Sequence, residues 1–535
     1  MTAKLHTIAF VAANLYKDSV ALMRVAQGLL AMPGIQTATL QMGNPANKDI
    51  LSEAGLLSDA VAGAGPSDIM VVIQATGPAL AKDALQACEA ALAGQQDGQA
   101  SQQGQAERVP AKNLGLGLNR IRADGQAINL AQISVPGAYA AAEALKAVKQ
   151  GLHVFLFSDN VPLSQEVALK NEAVRRGVLV MGPDCGTAII NGVPLGFANV
   201  VRRGQIGLVA ASGTGLQEVT TQIDRLGAAQ GVGVSHAIGT GGRDVYAQVG
   251  GATMLQGIEL LAQDAQTQVI AIVSKPPAAD VVDKVMHALH ASGKPCVVAF
   301  LGSAPAPGSA RIHVADTLVD CAAIAVQLAV QSAPRGGRRT ARASRDALRS
   351  YPLPAQPRFA KTQRYLRALF SGGTYAAEAQ HIWAREFGLK VWSNVAIDEA
   401  WDLPNPRRAS REHTALDLGD DAFTVGRPHP MIDQGARIER LLQEANDPAV
   451  RVVLLDVVIG WGAHADPAQD LGAAIQKAKA SARKAGRELA VIGFVCGTEA
   501  DPQVLSAQEA RLQAAGMVLA PNSASAAWLA AKWIL

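Results

Sequence analysis

Apolar runs alternate with helix-length segments along almost the whole chain, and this alternation is the strongest constraint on its fold. Residues 127–135, 154–158, 178–181, 206–210, 231–238, 269–274, 295–301, 451–458, 489–495 and 517–520 are apolar almost throughout rather than at every second position. Between many of them lie segments with the helical period, such as 138–149, 165–176, 254–262 and 468–484. A strand that is apolar on both sides must be covered on both faces. Helices of about ten residues or more between such strands provide the crossovers that parallel pairing needs. The expected fold class is therefore multidomain α/β with parallel sheets.

A chain of 535 residues is too long for one core, and about three to five domains are expected. Residues 1–95 read as a small ferredoxin-like α/β segment, with strands at 7–13, 37–42 and 68–74 and helices at 19–31 and 79–93. Residues 96–125 contain a Gln- and Gly-rich stretch without a hydrophobic period and read as a linker. A Rossmann-type domain over 126–203 and a flavodoxin-type domain over 204–331 follow. A basic, Pro-rich linker at 332–360 leads into a last α/β domain at 361–535. The Arg and Pro run of that second linker reads as solvated charge rather than a nucleic-acid site.

The net charge of +3 gives no reason to expect nucleic acid or an anionic membrane as partner. No apolar run reaches the roughly 18 residues of a membrane span, and the N-terminus lacks the pattern of a signal peptide. Cys88, Cys185, Cys296, Cys321 and Cys496 are scattered, with no Cys-x-x-Cys pair, which argues against disulfides and against a metal site. A cytoplasmic location is expected.

Four glycine-rich turns follow apolar strands: 211–215, 239–243, 370–374 and 460–464. Glycine lets the backbone approach a ligand closely, and unpaired amides at a helix start attract an anion, aided by the helix dipole. Tight turns also serve a parallel sheet that binds nothing. None of the four matches the phosphate-loop pattern or the dinucleotide fingerprint, so a nucleotide-hydrolysing motor and a standard dehydrogenase are disfavoured.

Read in order, Val135-Pro136-Gly137-Ala138, Met181 to Gly186, Ala211-Ser212-Gly213-Thr214 and Ile238 to Gly242 resemble the α subunit of succinyl-CoA synthetase. Leu416 to Asp421 and Gly460 to Ala463 resemble the ligase domain of its β subunit. Within that superfamily the chain is similar to the FdrA proteins, which fuse both parts and are labelled acyl-CoA synthetases. The stretches carrying this likeness are Asn14 to Ser19, Gly182 to Thr187, Ser274-Lys275-Pro276-Pro277 and Gly426 to Asp433. Two synthetase features are missing: the glycine loop that wraps CoA and the Gly-His-Ala-Gly-Ala loop that carries phosphate. His313 is the histidine nearest the second of these, in what reads as a strand. The ATP-grasp part of the synthetase is absent as well. No cofactor is required on this reading, and CoA is a doubtful ligand.

What the resemblance implies is transfer of an acyl or carbamoyl group to or from phosphate. The FdrA family is implicated in oxamate carbamoyl transfer within allantoin breakdown, together with partner subunits. The expected ligand is an acyl or carbamoyl phosphate, bound by a homo-oligomer or a complex. Ser212, Gly213, Thr214 and Gly215 are expected to cradle the phosphate from one side, and Gly460, Gly462 and Ala463 from the other. Arg243 and Arg427 are candidates for a carboxylate or carbonyl clamp. His429 is the candidate proton carrier, with His464 a second, while Asp184 and Cys185 are expected to shape a turn. The alternatives are an ADP-forming acyl-CoA synthetase with a separate ATP-grasp partner, and a non-catalytic assembly subunit.

Overall fold

The computed structural model describes residues 5–15, 17, 19–94, 111, 113–303, 310–332, 354–424 and 427–535. Most of both expected linkers lies outside these residues, as do Tyr16 and Asp18 of the Asn14–Ser19 motif and Gly426. The chain divides into two compact units, Met1–Gly117 with Gly426–Pro428, and Leu118–Val425 with His429–Leu535.

In the first unit the order is β1 (His6–Ala12), α1 (Ser19–Leu30), β2 (Ile35–Met42), α2 (Pro45–Glu53), α3 (Asp59–Ala62), β3 (Ile69–Ala75) and α4 (Pro78–Gly94). The strands form an antiparallel sheet in the order β1-β3-β2. Successive side chains of central β3 point to opposite faces. Val71 and Ile73 pack under α1 and α4 with Leu22, Val25 and Ala84, while Met70 and Val72 pack against Leu51 of α2 and Val61 of α3. That is why this strand is apolar from Ile69 to Ile73 although its sheet is antiparallel.

The second unit begins within α5 (Leu114–Ala123). A small parallel sheet follows, β4 (Leu130–Ile133), β5 (His153–Leu156) and β6 (Val180–Met181), with α6 (Gly137–Lys149) and α7 (Leu163–Arg176). Next comes a hairpin the sequence reading missed, β7 (Thr187–Ile190) and β8 (Val193–Gly196), which joins the following sheet rather than the preceding one. That sheet holds β9 (Arg203–Ala210), β10 (Val234–Gly239), β11 (Val269–Ser274), β12 (Cys296–Phe300) and β13 (Ile312–Val314), in the order β13-β12-β11-β9-β10-β7-β8. Its helices are α8 (Gly213–Gly227), α9 (Ala252–Gln263), α10 (Ala279–Ala291) and α11 (Leu318–Ser332).

A six-stranded parallel sheet closes the chain in the order β15-β16-β14-β17-β18-β19. Its elements are β14 (Tyr365–Phe370), α12 (Gly373–Phe387), β15 (Trp392–Ser393), β16 (Thr414–Asp417), α13 (Asp421–Thr424), α14 (Gly435–Asn446), β17 (Val450–Val458), α15 (Pro467–Lys484), β18 (Ala490–Cys496), α16 (Leu505–Ala514), β19 (Met517–Leu519) and α17 (Ser523–Ile534).

The two larger sheets share one apolar core. Leu216 and Val219 of α8 and Ala322 of α11 pack in the same cluster as Tyr375 and Trp383 of α12 and Leu529 of α17. Two buried glutamates lock this seam in matching ways. Glu378 of α12 accepts from the Leu318 amide that opens α11, at 2.7 Å, and Glu218 of α8 accepts from the Ser523 amide that opens α17, at 3.2 Å. Each sheet's last helix is thus capped by a carboxylate from the other, where the helix dipole favours negative charge. Burial nevertheless raises both carboxyls, Glu378 to about 7.

The small sheet is tied to the large one by a buried charge cluster. Lys170 of α7 pairs with Glu166 at 3.0 Å and with Asp244 at 2.8 Å, and Asp244 accepts from the Thr253 and Met254 amides at the start of α9.

Candidate functional site

Of the four glycine turns, two open long helices, and these two face each other. Ser212 caps α8 by accepting from the Gly215 amide at 2.9 Å, and its hydroxyl lies 2.5 Å from that of Thr374 in the first turn of α12. Thr214 packs directly on Gly372: a β-carbon there would stand 2.5 Å from Thr214 Cγ2. The earliest helical bonds run from Leu216 to Ser212 and from Ala376 to Gly372. The amides of Gly213, Thr214, Gly373 and Thr374 therefore precede them, and none of the described residues accepts from these amides. Gly372, the residue before α12, has no side chain with which to cap that helix. Gly213, Gly372 and Gly373 are only half-buried, so a small anion can reach this double helix start.

The turn into α12 is held from beneath. The Ser371 amide donates to Asp456 Oδ1 at 2.8 Å, its hydroxyl also donates to Asp456, and Arg437 pairs with Asp456 at 3.3 Å. All three residues are buried.

Chemistry-bearing side chains surround Gly373. A β-carbon on that glycine would lie 2.7 Å from Asp417 Oδ2 and 2.8 Å from Lys275 Nζ. Asp417 ends β16, where Asn394 brackets its backbone and its Oδ1 accepts from the Gly419 amide at 2.9 Å. Only 8% of it is exposed, and burial raises its carboxyl to about 6, with Lys275 opposing and Asp420 and Asp456 adding repulsion.

Gly419 separates Asp417 from His429: a β-carbon there would stand 3.2 Å from Asp417 Oδ1 and 2.7 Å from His429 Nε2. The His429 ring lies 5.6 Å from the Phe197 ring, and its Nδ1 accepts from the Met431 amide at 3.2 Å. Burial, helped by Arg437, lowers it to about 4. The imidazole is neutral near neutral pH, and with Nδ1 accepting, its proton sits on Nε2.

Asp184 lies farther out. Protein crowds it, and Asp159 and Asp421 add repulsion, raising its carboxyl to about 7 against the pull of Arg243, although the side chain stays open to solvent. Its backbone is left-handed (φ 55°), a conformation that costs a non-glycine residue about 1–3 kcal/mol and gathers at functional turns.

The motifs quoted for the family resemblance thus meet in one place: Asp184 from 182–187, Lys275 from 274–277 and His429 from 426–433. Several expectations need correction. The turn at Gly239 leads only into a one-turn 3₁₀ segment, Gly242–Val245. After Gly460 the chain runs on to Pro467 before a helix begins. Gly460, Gly462 and Ala463 do not form the second helix start; the Ser371–Thr374 turn does. The Gly460 loop packs on the segment 197–200, where the Gly460 amide is taken by Gln503 Oε1 at 3.0 Å and the Trp461 amide by the Ala198 carbonyl at 2.8 Å. Gly462 packs on Phe197.

Arg243 is bound to Glu166 at 2.9 Å and to the Val161 carbonyl at 2.7 Å, so it staples two sheets before it clamps any ligand. Arg427 groups with the N-terminal unit, and we give it no place in the pocket. His429, expected as a proton carrier, is held neutral by burial. His464 accepts from the Asp466 amide just ahead of α15. The Cys185 thiol is buried against Gly239 and pushed up to about 12, chiefly by desolvation, so it is no nucleophile. Lys275 and Asp417 went unassigned because each stands at the end of a strand with no local pattern to mark it. Among the described residues, no cluster of His, Cys, Asp and Glu could hold a metal, and no helix is long and apolar enough to cross a membrane.

Matches to two family models place these parallel sheets and their glycine-rich helix starts in the CoA-ligase superfamily. The CoA-ligase family model matches residues 369–533, and the CoA binding domain model matches residues 202–302, within the seven-stranded sheet. The model named AllF, heavy metal-associated domain matches residues 5–110. The chain belongs to the family of YahF from Escherichia coli (strain K12), to which it is 39% identical over 530 residues, 97% of each chain. Part of it resembles the ADP-forming sulfoacetate-CoA ligase subunit SauD of Bilophila wadsworthia, at 26% identity over 36% of this chain and 65% of that one. The α subunit of ADP-forming succinate–CoA ligase from Aquifex aeolicus is 25% identical over 41% and 66%. Among solved structures, dinucleotide-forming acetyl-coenzyme A synthetase 1 of Ca. Korarchaeum cryptofilum aligns with 76% of this chain and 83% of its own, at a TM-score of 0.31 and 15% identity, too loosely to carry an argument.

Proposed function

We propose that this chain is an FdrA-type transferase that moves an acyl or carbamoyl group between phosphate and a second substrate. Carbamoyl phosphate and oxamate, giving oxalurate and phosphate, are the leading pair. The observation that carries the reading is the meeting of two helix starts, with open amides at Gly213, Thr214, Gly373 and Thr374, beside the Lys275 ammonium. Such amides stabilise a leaving phosphate without reorganising, and Lys275 adds a full charge. The Nε2–H of His429 is placed to donate to the oxygen of an acyl carbonyl. On this reading the carbamoyl carbon lies between the phosphate and Gly419, and partner subunits complete the oxamate side.

A second reading, an ADP-forming acyl-CoA synthetase served by a separate ATP-grasp subunit, is favoured by the CoA-ligase and CoA binding domain matches. It requires a phosphate carrier, for which His313 is a poor choice, since it sits in strand β13 opposite Val297. One assay separates the two. Phosphate release is followed with carbamoyl phosphate plus oxamate and with acetyl phosphate plus CoA, alone and with the products of neighbouring genes. Oxamate-dependent release supports transfer, CoA-dependent release supports the synthetase, and release in neither arm removes both.

A further inference from the structure

We propose that Asp417 is the acid–base residue of this pocket, giving a proton to the departing phosphate and taking the one that an N–H nucleophile gives up. The inference rests on the acyl-phosphate reading above. Asp417 is held rigidly: Asn394 grips its backbone, and Oδ1 accepts from the Gly419 amide. Its other oxygen, Oδ2, has no donor among the described residues, although the side chain is more than nine-tenths buried. This oxygen is not sealed from solvent, so a ligand can reach it. This one faces Gly373 and the space beside Lys275 Nζ, where the helix start would hold the phosphate.

The charged groups that face Asp417 are Lys275 at the end of β11, Asp456 in β17, Asp420 in its own turn and Asp184 after β6. His429 is neutral beyond Gly419. Carboxylates outnumber the ammonium, so an incoming dianion must be matched by a proton on the nearest of them, Asp417. Desolvation already raises this carboxyl to about 6, which leaves both forms accessible near neutrality. In the reaction, the nucleophile's nitrogen bonds to the acyl carbon and the acyl C–O bond to phosphorus breaks. As that bond breaks, the proton that Asp417 took up with the dianion passes to the leaving group, which departs as monohydrogen phosphate, and the nucleophile's N–H proton replaces it on Asp417 Oδ2. No further reactant is needed.

The test is calorimetric titration of the full chain with sulfate, a dianion that does not itself titrate near neutral pH. Two buffers of different ionisation enthalpy are used, with wild type, Asp417→Asn and Asp417→Glu. Wild type is expected to take up a proton with the anion, the Asn variant to bind without proton uptake, and the Glu variant to recover it. Oxamate-dependent phosphate release should fall about 100-fold or more in the Asn variant and return in part with Glu. Binding without proton uptake by wild type, or equal uptake by the Asn variant, overturns the assignment and leaves the transferase reading standing. Failure of wild type to bind sulfate removes the anion site, and both readings with it.

Discussion

Gly373 shows how far one missing side chain shapes the pocket. Its φ lies outside the left-handed region, so alanine fits the backbone and slightly favours the helix. The added methyl would fill the space between Asp417 Oδ2 and Lys275 Nζ. Gly373→Ala should therefore lower the melting temperature a little, since Asp417 and Lys275 must shift, and lose the thermal shift that phosphate gives wild type. An undiminished shift would take Gly373 out of the site. His429 yields a separate expectation. Because it is held at about 4, it supplies a proton donor at every pH near neutrality and no titrating limb. His429→Phe should cost roughly 10²–10³ in kcat, as loss of a transition-state hydrogen bond does. The pH profile of the residual activity should be unchanged; a lost limb would mean that His429 does titrate.

At the scale of elements, the turn between β14 and α12 depends on the buried Asp456–Arg437 pair. Removing one partner of such a pair strands the other charge in the interior. Arg437→Met should cost about 3–5 kcal/mol, read from urea unfolding, with double replacement by apolar residues less harmful. A cost below about 1 kcal/mol would mean that water already reaches Asp456.

This anchor also shows what could be read from the sequence. The apolar strands at 206–210, 269–274 and 451–458 and the helix at 468–484 were legible because each carries a clean period. The strand Thr414–Asp417 was not, and Tyr365–Phe370 showed only through the turn that follows it, since it contains Arg367, whose charge is met by Glu444 and Asp447 only after folding. The Ser212 turn was legible as a helix start from its serine cap. Its partner was misassigned because Gly460-Trp461-Gly462 looks locally like a better anion loop than Ser371-Gly372-Gly373. Only the three-dimensional bonds of Gln503 and Ala198 reveal that its first two amides are taken.

For the whole molecule, the buried seam carboxylates set the response to pH. Glu378 is raised to about 7 and Glu218 is raised as well, chiefly by desolvation. A carboxyl with a higher pKa folded than unfolded binds its proton in the native state first. Stability should then be greatest at mildly acid pH and fall as pH rises from about 4.5 to above 7. Denaturant midpoints should decline across that range, and Glu378→Gln, which can still accept from the Leu318 amide, should flatten the decline. A midpoint that rises with pH would show these carboxylates to be ionised throughout.

The reciprocal capping of α11 by Glu378 and of α17 by Glu218 bears on how the polypeptide can be divided. Each terminal helix has its own cap, Thr317 or Asn522, but in isolation each would lose the acceptor its neighbour lends to the first amide. Produced as separate chains broken between residues 332 and 354, the halves should be insoluble singly and soluble when made together. The peptide link there would then serve to keep two mutually dependent bodies at equal dose.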